Sequence, residues 1–367
     1  MLHPFPPTAA RSPVVVKFLA KGHHYEHREI FLRQFAGRSG CWGNCRFEFD
    51  PAATEYDWLV VYDDLSPVGN ERFSTRSERL ACPAANTIFV TMEPSSIKSY
   101  GRSFLDQFGV VLTSQEPWAI PGRNAVYSQP ALRWFYGASY ENPRTWDEMV
   151  ARPPLDKTGD LSTVCSNKRQ SYTMHAARYD FTMALRSLLP ELELYGRGLR
   201  PIEDKADALD PYRYHIVVEN HVAPHHWTEK LADAFLGVTL PFYFGCPNLD
   251  DYFDAESFIA IDISDPQGAA RIIRDAIAGN EYERRLPKIL AARRQVLEEY
   301  NLFAVLTRLI EQRHDPRLRP ELGAMIHSRH VCRSRTLWTG LQFAIEQYRV
   351  KSRSRREQRR HRRRDVA

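Results

Sequence analysis

Short apolar runs separated by polar, helix-compatible stretches recur along most of the chain, and this rhythm constrains the fold more than any other feature. In the first half the runs are Val14 to Ala20, Trp58 to Leu65, Thr87 to Met92 and Val110 to Thr113. They are apolar at most consecutive positions, as expected of parallel strands covered on both faces. A loop-rich stretch with Pro143, Pro153 and Pro154 follows. The second half repeats the pattern, with strands expected at Leu161 to Cys165, Leu192 to Tyr195, Tyr214 to Val218, Leu240 to Phe244 and Phe258 to Ile263. Helices are expected between them at Met174 to Leu188, Thr228 to Leu236 and Pro266 to Ala278.

At 367 residues the chain exceeds what one hydrophobic core usually supports. The expectation is therefore an α/β protein of two facing Rossmann-like domains, with ligands gathered at the carboxyl ends of the strands. The boundaries read as 1–155, 156–318, a helical segment at 319–349 and a basic tail at 350–367. Residues 281–318 read as helices that could pack across the domain junction.

Charge is distributed unevenly. The tail carries nine Lys or Arg against two acids, a net +7 in a chain of +5, so the remaining body carries −2. The basic character belongs to an appendage, which argues against a nucleic-acid-binding globule. Ahead of the tail, Trp338, Leu341, Ile345 and Tyr348 share one helical face, while Phe343 falls off it. An apolar face followed by arginines suits an anionic membrane surface. The alternatives are nucleic-acid binding through the tail and a solvated tail without a fixed partner. The N-terminal MLHPFPPTAARSP has neither the basic start nor the apolar stretch of a signal peptide, so the expected compartment is cytoplasmic, at the inner face of the membrane if the tail docks. Six scattered cysteines suggest free thiols, and the Cys41/Cys45 pair has no second pair at zinc spacing.

The chemistry concentrates in YHIVVENHVAPHHWTEKLADAFLGVTLPFYFGCPN, Tyr214 to Asn248. A strand ends in Glu219-Asn220, a His-rich loop follows, and Thr228 can cap a helix whose first turn holds Glu229 and Lys230. Carboxylate, ammonium and amide groups thus meet beside the positive end of a helix, where a diphosphate would bind. Read by itself, the same pattern also fits a capped helix with Lys230 on a solvated face.

The order Glu219-Asn220, Thr228-Glu229-Lys230, Asp233-Ala234-Phe235 and the T-x-P-x-Y-x-G-x-P turn from Thr239 to Pro247 resembles the α-1,3-fucosyltransferase family, family 10 of the glycosyltransferases. The resemblance covers roughly residues 86 to 265. It implies a GT-B architecture, acceptor side N-terminal and donor side C-terminal, and inverting transfer of fucose from GDP-fucose to a hydroxyl of a glycan or lipid-linked glycan. No cofactor and no metal are implied. Asp63-Asp64 and Asp250-Asp251 lack the spacing of the metal-binding D-x-D of other glycosyltransferases.

Residue by residue, the resemblance makes Glu93, at the end of the run Asn86 to Glu93, the general base. Arg178, in the helix after Cys165-Ser166-Asn167, and Lys230 would meet the donor diphosphate. Asn220 and Glu229 would hold ribose or sugar. Tyr195, ahead of Gly196-Arg197-Gly198, would line the nucleotide pocket, and Asp204-Lys205 and Tyr212-Arg213-Tyr214 lead into the donor strand. The chain departs from the pattern at His226, where the family commonly has Tyr near the sugar. That leaves a GT-B transferase using another nucleotide sugar as the alternative within enzymes.

Overall fold

The computed structural model describes residues 12–21, 28–67, 71, 73–129, 132–139, 141–167 and 173–364, with side chains as far as 358. The first eleven residues, read above for a signal peptide, and residues 365–367 of the basic tail lie outside the described residues.

Fourteen strands are described: β1 (Val14–Ala20), β2 (Cys41–Trp42), β3 (Cys45–Glu48), β4 (Trp58–Tyr62), β5 (Ser77–Arg79), β6 (Thr87–Val90), β7 (Val110–Thr113), β8 (Ala125–Tyr127), β9 (Gly159–Val164), β10 (Glu193–Tyr195), β11 (Tyr212–Val218), β12 (Leu240–Phe244), β13 (Ile259–Ala260) and β14 (Met325–His327). The helices are α1 (Glu29–Leu32), α2 (Arg102–Leu105), α3 (Trp146–Ala151), α4 (His175–Leu188), α5 (Glu229–Leu236), α6 (Pro266–Ala278), α7 (Glu281–Glu298), α8 (Leu302–Glu311), α9 (Arg329–Ser334) and α10 (Leu337–Arg364).

The strands form two main sheets. The first runs β2-β3-β1-β4-β6-β7-β8, parallel throughout except for the β2/β3 hairpin. The second runs β10-β9-β11-β12-β13 and is wholly parallel. Central strands are buried on both faces, as at Trp58 to Tyr62 and Thr87 to Val90, which is why they read as continuous apolar runs. The architecture is thus the expected pair of Rossmann-like α/β domains.

In the second sheet the order reverses between β9 and β11, since β10 lies on one side of β9 while β11, β12 and β13 extend on the other. Ligands of open α/β sheets bind outside the strand ends at such a switch point. Two capped helices frame this sheet. In α5, Thr228 is the N-cap and Leu231, Ala234 and Phe235 are buried. Asp265 caps α6 by accepting from the Gly268 N–H, with Pro266 at the first helical position where its missing N–H costs nothing.

The chain does not remain in the second domain as far as 318. Helix α8 buries Leu302, Phe303, Leu306 and Ile310 in the core of the first sheet, where Phe303 meets Phe35 at 4.0 Å between ring centres. Strand β14 then pairs antiparallel with β5, and α9 packs on α2. The apolar stripe of α8 looks the same whichever sheet it covers, so the sequence does not reveal this return. The basic tail is not a separate appendage in its described part. It continues α10, which lies against the first domain through Phe343 beside Gly101, Glu346 accepting from the Arg102 N–H at 2.9 Å, and Arg353 over the Trp118 ring.

Candidate functional site

Two cavities meet at the strand ends. One, of about 250 Å³, lies within the second domain at the β9/β11 switch point, and its wall includes Ser166, Arg178, Asn220, Glu229 and Lys230. The other, of about 560 Å³, lies between the domains and is lined by Glu93, Arg133 and Phe135 from the first and by Asn220, His226, Glu229 and Lys230 from the second. His175, Asn220, Glu229 and Lys230 line both, so the two spaces share a waist.

The waist is built by one buried carboxylate. Glu219, fully buried, accepts the Thr228 N–H at 2.8 Å and the Thr228 hydroxyl at 2.8 to 2.9 Å. This ties the end of β11 to the start of α5. Lys230 Nζ donates to Thr228 Oγ1 at 3.0 Å and Glu229 Oε1 at 3.1 Å, and lies 3.3 Å from Glu219 Oε2. The backbone must approach Glu219 closely from the following turn as well. A Cβ on Gly245 would stand 2.5 Å from Glu219 Cγ, so the glycine of the T-x-P-x-Y-x-G-x-P turn has a steric reason.

Electrostatics follows from this packing. Burial works against the Lys230 ammonium, but Glu219 and Glu229 outweigh it and hold the group charged well above the usual lysine range. Burial likewise opposes ionisation of Glu229, and Lys230 and Lys205 overcome it, bringing its carboxyl down to about 2. Both are ionised at neutral pH. Two buried polar atoms on the wall, Arg178 Nε and Asn220 Oδ1, have no hydrogen-bond partner among the described residues. Such atoms are costly to bury unpaired, and they mark where a polar ligand would complete the site.

Across the inter-domain cavity, Glu93 stands beyond β6. Its peptide is held by Tyr100 Oη, which accepts the Met92 N–H at 3.1 Å and the Glu93 N–H at 3.4 Å and donates to Asp63 Oδ1 at 2.8 Å. Gln115 donates to the Glu93 carbonyl at 2.7 Å. Burial, aided by the charge of Asp63 and opposed by Lys98, raises the Glu93 carboxyl above its usual range. A half-buried carboxylate of raised pKa facing a cleft has the properties of a general base.

The His-rich loop joins the two walls. His226 Nδ1 lies 2.8 Å from Ser114 Oγ, and His221 Nε2 lies 3.1 Å from Glu116 Oε1, both contacts crossing to the segment after β7. Burial, reinforced by His221 and Lys230, keeps His226 neutral. His225 takes another course, with positive φ and its Nδ1 2.7 Å from Tyr252 Oη. Among the described residues no group of three or more His, Cys, Asp or Glu side chains is arranged to hold a metal ion.

Of the residues named from sequence, Arg178, Asn220, Glu229 and Lys230 meet in the second-domain cavity, and Glu93 and His226 join the latter three at the cleft. Tyr195 stands apart. It lines neither cavity, and its hydroxyl is 2.7 Å from that of Tyr212 while Arg200 covers its ring. The neighbouring Gly196, with φ of 126°, turns the chain against Cys165, where a Cβ would meet the carbonyl oxygen at 2.0 Å. Sequence reading missed His175, His215, Arg133, Ser114 and Glu116. Lys205 did carry a signal, as part of the segment that the family resemblance places ahead of its donor strand.

No family model matches the chain, and no curated protein does. Among solved structures the chain is similar to an α1,3-fucosyltransferase, at 18% identity and a TM-score of 0.46, over 82% of this chain and 95% of that one. It is similar to an α1,3-fucosyltransferase with GDP-fucose at 18% identity and a TM-score of 0.45, over 80% and 94%. A pneumococcal O-GlcNAc transferase in complex with UDP and GlcNAc follows at 10% identity and a TM-score of 0.32, over 70% and 52%.

Proposed function

We propose that this protein is an inverting glycosyltransferase that moves fucose from GDP-fucose to a hydroxyl of a glycan. The observation that carries the proposal is the shared waist. Two cavities, which in this reading take the nucleotide and the two sugars, meet at Asn220, Glu229 and Lys230, with Glu93 on the facing wall. The motif resemblance of Glu219 to Pro247 supplies the identity of the donor.

In this reading the diphosphate sits at the waist, between Arg178, Lys230 and the start of α5. Glu93 takes the proton of the acceptor hydroxyl as its oxygen attacks the anomeric carbon from the side opposite the phosphate. The bond from that carbon to the β-phosphate oxygen breaks, and its electron pair leaves on GDP. Arg178 and Lys230 stabilise the charge that grows there, an effect commonly worth about 2.7 to 4 kcal/mol per donor. Asn220 and Glu229 accept from hydroxyls of ribose or sugar, and neutral His226 faces the sugar.

Helix α10 supports a location for this activity. Trp338, Leu341, Ile345 and Tyr348 are exposed along one face, ahead of the arginines of the tail. That combination fits peripheral docking on an anionic membrane, at the cytoplasmic face, where a lipid-linked glycan would be the acceptor. No described helix is long and apolar enough to cross a membrane.

A second reading, transfer from another nucleotide sugar, draws on His226, whose imidazole, kept neutral by burial and held by Ser114, lines the cleft. Thermal-shift titration with GDP, UDP, CMP and GDP-fucose tests both, because a ligand of the folded state raises its apparent stability. Selective stabilisation by GDP and GDP-fucose, lost in Arg178→Ala, is expected. A response to UDP alone would transfer the case to the second reading, and silence to all four would overturn both.

A further inference from the structure

The wall of the second-domain cavity contains a histidine, His215, that the reaction above does not use. Along β11 the side chains alternate. Tyr214, Ile216 and Val218 enter one core cluster, while His215 and Val217 face the other way, toward the cavity. A buried histidine in mid-strand needs a partner, and His215 Nδ1 has one in Ser162 Oγ at 2.8 Å. The direction of that bond is fixed. Ser162 Oγ also lies 2.6 Å from the Ala208 carbonyl oxygen, two acceptors that only the hydroxyl proton can join. Having given its one proton to Ala208, Ser162 can only accept from His215, so Nδ1 carries the ring proton and Nε2 keeps a lone pair. Burial and the nearby Lys205 charge bring the imidazole down to about 3, so it stays neutral at physiological pH.

Lys205, whose charge acts on His215, lines the same cavity. Its Nζ donates one proton to Asp233 Oδ2 at 2.6 Å, which leaves two for a ligand. Asp233 is itself locked, taking the Phe135 and Tyr136 N–H groups at 2.9 Å on its other oxygen. Val164, Leu209 and Val217 add apolar side chains to the wall of this cavity, which also holds Arg178, Asn220 and Lys230. A flat group with apolar faces and a polar edge, attached to a diphosphate, matches this space.

Resting on the nucleotide-sugar reading, we propose that His215, set in one tautomer by Ser162, and Lys205 select the base of the donor by reading the lactam edge of guanine. The N1–H of the base donates to His215 Nε2, and O6 accepts from Lys205 Nζ. In the same pose adenine opposes a ring lone pair to Nε2 and an amino group to the ammonium, so both contacts turn repulsive. Ser162 acts on the base only through His215 and is a positioning residue.

Calorimetric titration of the full chain with GDP, ADP and inorganic pyrophosphate tests the assignment. The wild type should prefer GDP over ADP by about tenfold or more. His215→Phe should lower GDP affinity roughly three- to tenfold, the reach of one neutral hydrogen bond, narrow the GDP/ADP ratio, and leave pyrophosphate affinity unchanged. Ser162→Ala, which frees the tautomer, should narrow the same ratio, an effect that a merely structural role would not produce. Should His215→Phe fail to fold, N1-methylguanosine diphosphate on the wild type serves instead, and equal affinity to GDP would overturn the proposal. An unchanged GDP/ADP ratio in a folded His215→Phe protein that still binds pyrophosphate would overturn the base assignment and leave the diphosphate site standing. No binding of any nucleotide or of pyrophosphate by the wild type would overturn both.

Discussion

Glu219 and Thr228 are joined twice, through the backbone N–H and the hydroxyl of the threonine, inside a region from which solvent is excluded. The N-cap of α5 is therefore itself capped by a strand end, and the geometry of the wall shared by the two cavities, the proposed diphosphate site, depends on this pair. Thr228→Val keeps the N–H bond and loses the hydroxyl. We expect a loss of about 1 to 2 kcal/mol in denaturant unfolding and weaker GDP binding, whereas Thr228→Ser retains both contacts and should stay near wild type.

The proposed mechanism adds a catalytic duty to the structural one that Lys230 has beside Glu219, and its removal should show both. Lys230→Ala leaves Glu219 buried without its cation, a change that costs roughly 3 to 5 kcal/mol when a buried pair is broken. Turnover of the fraction that remains folded should fall by roughly two to three orders of magnitude, as for loss of a group that stabilises the departing charge. Near-wild-type turnover at a reduced melting temperature would leave Lys230 a structural cation only.

The raised pKa of Glu93 sets a sign for the pH profile. A general base works when deprotonated, so kcat/KM should fall as pH drops through a value above the ~4.3 of an ordinary glutamate. Asp63→Asn removes a negative charge that favours the protonated form, so the acid limb should move to lower pH. Asp63 has a φ of 76°, a conformation that Asn tolerates, which makes this a conservative change. Lys98→Met should move the limb the other way, because Lys98 favours the carboxylate.

For α10, the double change Leu341→Ser and Ile345→Ser alters two exposed side chains and should leave the melting temperature within a degree or so of wild type. Binding to vesicles rich in anionic lipid should drop severalfold, and wild-type binding should weaken with added salt. Binding that withstands both would exclude the helix as the docking element.

How far the sequence reveals this molecule depends on how local each feature is. Strands β1, β7 and β12 and helix α6 have the expected limits, because apolar runs and caps are local signals. Thr228, Glu229 and Lys230 are legible for the same reason, being one helix start. The return of α8 and β14 to the first domain is not, since an amphipathic stripe names no partner. Nor are the His226–Ser114 and His221–Glu116 contacts, which join segments over a hundred residues apart. Tyr195 shows the converse. An aromatic beside glycines invites a ligand role, yet its hydroxyl is committed to Tyr212.

If Glu93 acts on the acceptor across the cleft from a donor held by the second domain, its replacement separates chemistry from donor binding, which is read by measuring GDP release from GDP-fucose in the presence of acceptor, alongside GDP affinity, for wild type and Glu93→Gln. A general base at Glu93 should give a fall in kcat of about 100-fold or more, the usual contribution of such a group, with GDP affinity unchanged. Undiminished kcat in Glu93→Gln, or a loss of GDP binding that accounts for the whole effect, would contradict it.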